Sequence, residues 1–247
     1  MVSFELTQFE AVVFDLDSTL MDTQRYPMVA SEWLLRKSGV YSEEEMMSYI
    51  RALVMRYRQA IQAIVVGAPY RSPLNIIRTA MENSLIDLNV RVDQGLIEEA
   101  AQRFKSSHIE LSTPYDKVEE LLGSLKSKSQ KLGIITNSFE GNAQIILKKL
   151  NLDHFFSSIV DCGSVQSYKP SNLLFERAAG DLDISTSKII YIGDEYYSDM
   201  VGGKDAGMTT IWINKRGRSL SDQISKHGAR STPDYVLGSV SEFCDLL

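Results

Sequence analysis

The sequence predicts an α/β protein: a Rossmann-like open parallel sheet flanked by helices, with an all-α cap inserted after the first strand. Three observations support this. Short apolar runs recur along the chain, with helical patterns between most of them. The first run ends in two carboxylates one residue apart. The interval after it contains no convincing strand.

The elements follow in order. Ala11-Val12-Val13-Phe14 is an apolar run of the kind that forms a strand buried on both faces. Asp15, Leu16, Asp17, Ser18 and Thr19 come directly after it. From 21 to 113 the pattern is helical. Ser42-x-x-Glu45 reads as a capping box. Ile50, Leu53, Val54, Tyr57, Ile61, Ile64 and Val65 then recur at helical spacing, and Gly67 is the expected stop. Ser72-Pro73 opens a further helix with proline in its first turn. Asp93 caps another that contains Leu96, Ile97, Ala100, Ala101 and Phe104. The expected division is therefore a core of 1–20 and 114–247 and a cap of 21–113, the cap holding roughly four helices. Further strands are expected at 132–136, 158–160, 189–193, 209–213 and 235–237. Between them Val118, Leu121, Leu122 and Leu125 recur at helical spacing, as do Ile145, Ile146 and Leu150, then Leu173, Leu174 and Ala178.

Composition narrows the class. The chain has 247 residues, of which 44% are hydrophobic and 23% charged, ordinary values for a globular protein with a sizeable core. A net charge of −6 argues against a general nucleic-acid binder, which needs a basic face. No run approaches the roughly 20 apolar residues that span a bilayer. The N-terminal segment lacks the basic and then apolar pattern of a signal peptide. Cys162 and Cys244 lie far apart, with no metal-ligand or redox spacing, as expected of reduced thiols in a cytoplasmic protein. Monomer and homodimer are both open.

The polar features of interest fall at the ends of expected strands, where open parallel sheets bind ligands. Asp15 and Asp17 follow the first strand. Two like charges that close are unfavourable unless a cation or a shared proton compensates. A hard divalent metal, which prefers oxygen ligands, is the natural compensator. Thr136, Asn137 and Ser138 end the second strand. Lys169-Pro170 precedes a helix start. Gly193-Asp194 ends another strand, and Asp199 follows five residues later. Each feature alone has an ordinary reading: a turn, a cap or a solvated side chain. In this order, each in its place relative to an apolar run, they define one site.

The chain resembles the haloacid dehalogenase-like superfamily over essentially its whole length, most closely the phosphatases with a helical cap. Asp15-Leu16-Asp17-Ser18-Thr19 matches the first motif, Thr136-Asn137 the second, Lys169 the third, and Gly193-Asp194 with Asp199 the fourth. Pro114-Tyr115-Asp116-Lys117-Val118 looks like the re-entry from the cap. Lys204-Asp205-Ala206-Gly207-Met208 resembles the segment before the next strand. Ser18 departs mildly from the family, where glycine is common.

That resemblance implies a Mg²⁺-dependent hydrolase of a small phosphorylated metabolite, a sugar phosphate or a nucleotide. Asp15 would be the nucleophile that forms an aspartyl-phosphate. Asp17 would protonate the leaving alcohol and later take a proton from water. Thr136, the amide of Asn137 and Lys169 would hold the phosphoryl oxygens, and Lys169 would also pair with Asp15. Asp15, the Asp17 backbone carbonyl and Asp194 would hold the metal, with Asp199 acting behind them through water or other groups.

A phosphomutase would reuse the same aspartyl-phosphate. A 2-haloacid dehalogenase is disfavoured by Asp17, and a phosphonate hydrolase would want a cap lysine, for which Lys37 precedes Lys105. A non-catalytic binding protein on this fold is disfavoured because no expected catalytic residue is missing. In the cap, Arg25, Arg51, Arg56, Arg58, Arg71 and Arg78 are candidate contacts for a polar leaving group, and Trp33, Tyr49 and Tyr57 for a ring. Solvated and core positions are the ordinary alternatives.

Overall fold

The structure, a computed structural model, describes residues 6–128 and 130–247. Residues 1–5, assigned above to the core, and Ser129 lie outside the described residues. No helix among the described residues is long and apolar enough to cross a membrane.

The described residues form a six-stranded parallel sheet in the order β5-β4-β1-β6-β7-β8. Its strands are β1 (Ala11–Phe14), β4 (Lys131–Thr136), β5 (Ser158–Asp161), β6 (Ile189–Gly193), β7 (Thr209–Ile213) and β8 (Tyr235–Leu237). All six match the expected apolar runs. β1 is central, with Phe14 opposite Ile134 on one side and Ile192 on the other. The chain runs from β1 out to β5, then returns to β6 on the opposite side of β1 and continues outward. Strand order thus reverses at β1 and β6, the crevice where such sheets bind ligands.

Side-chain alternation explains why the strands are apolar throughout. Val12, Phe14, Ile134 and Ile192 pack on one face with Leu121, Leu122, Ile146 and Phe243. These come from α5 (Val118–Ser127), α6 (Asn142–Lys149) and α11 (Val240–Asp245). Ala11, Val13, Ile135 and Tyr191 pack on the other face with Leu174, Phe175 and Ala178 of α8 (Asn172–Leu182). The short helices α7 (Cys162–Val165), α9 (Gly202–Asp205) and α10 (Leu220–His227) complete the layers. Three residues of the expected helical stripes are exposed: Val54 at 42%, Ile145 at 51% and Leu173 at 52%. Cys162 is buried, Cys244 is partly so, and both are free.

Among the described residues, four helices lie between β1 and α5: α1 (Arg25–Lys37), α2 (Glu43–Val65), α3 (Pro73–Ile86) and α4 (Gln94–Leu111). Their caps follow the sequence signals. Ser42 accepts from Glu45 N at 3.2 Å, Ser72 from Asn75 N at 3.3 Å and Asp93 from Leu96 N at 3.0 Å. Gly67, past the end of α2, sits at φ 113°, a conformation that suits glycine. The helices enclose their own apolar cluster, including Leu34, Leu53, Ile77, Met81 and Phe104, which Phe139 enters from the sheet side. An antiparallel ribbon of β2 (Met21–Asp22) and β3 (Thr113–Pro114) stands where the chain enters and leaves this insert. Sequence patterning missed it because two residues per strand carry no period.

Candidate active site

The ends of β1, β4 and β6 bring the expected residues together. Asp15 is the first residue past β1, and its N–H donates to Ile192 O of β6 at 2.8 Å, which extends the ladder by one step. Its carboxyl is held on both oxygens. Lys169 Nζ donates to Oδ1 at 2.6 Å, and Thr19 Oγ1 donates to Oδ2 at 3.0 Å. The loop that carries Asp17 and Thr19 turns at Ser18, which sits at φ 63°. A left-handed non-glycine residue costs on the order of 1–3 kcal/mol, which gives the reason glycine suits this position.

Lys169 is buried at 2% exposure. Its ammonium, with three N–H groups, lies within hydrogen-bond distance of four acceptors: Asp15, Asp199 Oδ1 at 2.7 Å, Ile135 O at 3.0 Å and Tyr191 Oη at 2.9 Å. Burial opposes its charge, but Asp15 and Asp199 outweigh that and hold its pKa raised. Its backbone is clamped by the Asn137 side chain: Oδ1 accepts from Lys169 N at 2.7 Å and Nδ2 donates to Lys169 O at 3.2 Å. The Asn137 side-chain amide is thus spent on positioning Lys169, so any contact of Asn137 with a phosphoryl group falls to its backbone N–H. Thr136 ends β4, and its hydroxyl accepts from Ser138 N at 3.1 Å.

Asp194 and Asp199 follow β6. Asp199 lies in a π-helical turn, Tyr196–Val201, an irregularity common at functional sites. Its Oδ1 accepts from Lys169 and from Tyr191 Oη at 2.9 Å, and its Oδ2 accepts from Glu195 N at 2.9 Å. Gly193 makes room for this packing, because a Cβ there would overlap the Asp199 carboxyl. Asp15, Asp194 and Asp199 each offer a carboxylate oxygen, all within 4.8 Å of one another. Burial, then Asp199 and Glu195, push the Asp194 pKa up to about 7. Burial also raises Asp15, against the pull of Lys169 and with Asp199, Asp194 and Asp17 adding to the rise. Three carboxylates against one buried lysine form an oxygen-donor set short of positive charge. Hard divalent cations such as Mg²⁺ fit such a set.

Asp17 has a partner that the sequence reading did not name. Its Oδ1 lies 2.7 Å from His108 Nε2 of α4, fully buried and 91 residues away. The bonding around the ring assigns the tautomer. Lys105 O can only accept, so Asn142 Nδ2 donates to it at 3.0 Å and to His108 Nδ1, also at 3.0 Å. Nδ1 therefore carries no proton, and Nε2–H donates to Asp17. Burial works to raise the Asp17 pKa, but His108 beside it outweighs that and holds it lowered. A helical period places His108 on the same stripe as Ile97, Ala101 and Phe104, so the spacing of α4 was the available signal.

The cap candidates separate cleanly. Arg58 and Tyr57 line the cavity above the site. Arg56 pairs with Asp87 and Arg78 with Glu98, while Arg71 caps Asn75 O and Thr79. Arg25, Arg51 and Lys37 are exposed and do not line the cavity. Tyr49 is core, and Trp33 stacks under Arg103.

A reversing parallel sheet thus carries a carboxylate–lysine centre at its switch point, beneath a helical roof. The haloacid dehalogenase-like hydrolase family matches residues 12–213, and the chain belongs to it. The pyrophosphatase PpaX of Bacillus mycoides is 27% identical over 246 residues, 97% of each chain. The (S)-2-haloacid dehalogenase 2 of a Pseudomonas species is 23% identical over 242 residues, 98% of this chain and 97% of its own. The solved structure of the HAD-hydrolase YfnB from Bacillus subtilis, bound to magnesium, superposes with a TM-score of 0.78 at 21% identity, covering 97% of this chain and 98% of its own.

Proposed function

We propose that this hydrolase is a Mg²⁺-dependent phosphomonoester phosphatase that acts on a small soluble metabolite in the cytoplasm. The observation that carries the reading is the Asp17 carboxyl, aimed into the site beside Asp15 and held there by His108. Displacing halide from carbon needs no proton donor, whereas expelling an alkoxide from phosphorus does. The likeness to a pyrophosphatase supports the same reading.

The negative charge of the ester, brought beside Asp17, favours its protonated form against the pull of His108. Asp15 then attacks phosphorus while the bond to the leaving oxygen breaks, and the protonated Asp17 gives that oxygen its proton. Asp17 then takes a proton from water, which displaces Asp15 and releases inorganic phosphate. The Thr136 hydroxyl, the Asn137 N–H and Lys169 Nζ hold the phosphoryl oxygens, and positioning of this kind dominates phosphoryl transfer. Asp15, the Asp17 carbonyl and Asp194 would hold Mg²⁺, while Asp199 orients Lys169. When bound, the metal supplies the charge that lets an anionic nucleophile meet an anionic ester.

The direct test is phosphate release from a panel of phosphomonoesters, with Mg²⁺ and with EDTA. Release that EDTA abolishes supports the reading. A folded, Mg²⁺-loaded protein that releases none overturns it.

Asp17→Asn is expected to lower kcat/KM for alkyl phosphates, which reads only the transfer to Asp15, by at least about 10²-fold. For p-nitrophenyl phosphate, whose leaving group needs no proton, the loss in kcat/KM is much smaller. Equal losses on both substrates would remove Asp17 from the acid role.

Mg²⁺ affinity should also depend on pH. A ligand carboxyl with a pKa of about 7 is largely protonated below that pH, and the ion must displace the proton. Apparent affinity then rises by about tenfold from roughly pH 6 to roughly pH 8 and levels off above. Calorimetric titrations in buffers of different ionisation enthalpy read both the affinity and the released proton. A flat profile would remove Asp194 from the ligand set.

A further inference from the structure

The cavity above the phosphoryl-transfer residues has a volume of about 300 Å³, at the lower end for small-molecule sites. Its floor is polar and consists of the residues already described. Its walls and roof differ in kind, and a leaving group must occupy the space between them. The cap contributes Tyr26, Ile50, Leu53, Tyr57, Ile61 and Phe104. Apart from Lys169, Arg58 is the one cation among the described residues that line the cavity. Arg58 stands at the rim, its side chain 63% exposed, and faces Glu195 of the sheet side at 3.7 Å. Its charge is therefore partly answered before any substrate arrives.

Such walls discriminate by chemistry. A second phosphate or a carboxylate placed deep among them, away from Arg58 at the rim, would be desolvated without a counter-charge, which is costly. A polyol would lose several water hydrogen bonds and recover few. The hydrogen-bonding groups on offer there are Ser198 and the hydroxyls of Tyr26 and Tyr57. Neither tyrosine hydroxyl has a hydrogen-bond partner among the described residues. We infer that the alcohol released is a compact, predominantly apolar one, about the size of a single ring with one polar substituent, rather than a sugar or a second phosphate. This deepens the phosphatase reading and rests on it. It also separates the chain from the pyrophosphatase it is similar to, because pyrophosphate presents a second dianionic group to these walls.

The test compares kcat/KM, with Mg²⁺ present, for benzyl phosphate, glucose 6-phosphate, a nucleoside 5′-monophosphate and pyrophosphate. Acetyl phosphate and p-nitrophenyl phosphate serve as reactive probes that ask little of the walls. Benzyl phosphate is expected to exceed each hydrophilic substrate by at least about tenfold, the discrimination that one apolar group provides in an apolar pocket. Ile61→Asn, which makes one wall polar, is expected to shrink that ratio, provided that its melting profile shows a folded protein. Glucose 6-phosphate, the nucleotide or pyrophosphate turned over as well as benzyl phosphate would overturn the inference and leave the phosphatase reading standing. No release from any substrate, the reactive probes included, would overturn that reading and the inference with it.

Discussion

Asp15→Asn is expected to lose at least about 10⁴-fold in kcat while the protein stays folded. The amide keeps the shape of the carboxyl but is a poor nucleophile, and one of its two positions becomes a donor. The Thr19 hydroxyl can still bond the amide oxygen, and Lys169 keeps Asp199, so the local scaffold survives. Phosphate release and circular dichroism melting measure the two halves of this expectation. Retained turnover in a folded variant would mean that Asp15 is not the nucleophile. Loss of turnover together with loss of fold would assign it a structural role instead.

Lys169→Met acts on stability as strongly as on chemistry. The lysine is 2% exposed and bonds two carboxylates at 2.6 and 2.7 Å. Methionine fills most of the volume but leaves Asp15 and Asp199 unanswered, and breaking a buried ion pair from one side costs about 3–5 kcal/mol. For a chain of this size that corresponds to a fall in Tm of roughly 10 °C. The loss should depend on pH with a definite sign. A buried carboxyl without its cation holds its proton to higher pH, so its folded-state pKa lies above its unfolded one. The variant is then least destabilised in acid, and its deficit grows as pH rises through neutrality. Denaturant melts in metal-free buffer at acid and mildly alkaline pH measure this. A deficit that shrank as pH rose would contradict the ion-pair account. Turnover should fall as well, because the same ammonium favours the ionised form of Asp15 against the rise that burial imposes and, in the proposed mechanism, holds a phosphoryl oxygen.

The sheet was legible because its central strands are buried on both faces, although the edge strand β8 leaves Val236 exposed. Runs such as Ala11–Phe14 and Ile189–Gly193 have no polar alternation to confuse them with edge strands. Asp15, Thr136, Lys169 and Asp194 were legible because each stands at an abrupt end of such a run or just before a helix. Other parts of the site were not, for identifiable reasons. His108 lies on a helical stripe beside Phe104, and a lone histidine there reads as core until its partner is known. Tyr191 sits inside an apolar run, so its hydroxyl bonds to Lys169 and Asp199 left no trace in the pattern. Asn137 was placed at the site, but that its side chain grips a backbone 32 residues away depends on tertiary geometry alone. The cap arginines looked interchangeable in sequence, and only packing singles out Arg58.

His108 belongs to α4 in the roof, whereas the carboxyl it grips belongs to the loop after β1 in the floor. Asn142, from the sheet side, bonds the far edge of the same ring, so the imidazole is a rivet through both layers. Drawing the roof off the sheet would shear it and leave Asp17 without its brace, while Lys169 would still hold Asp15. Both connections between roof and floor run through a ribbon two residues wide.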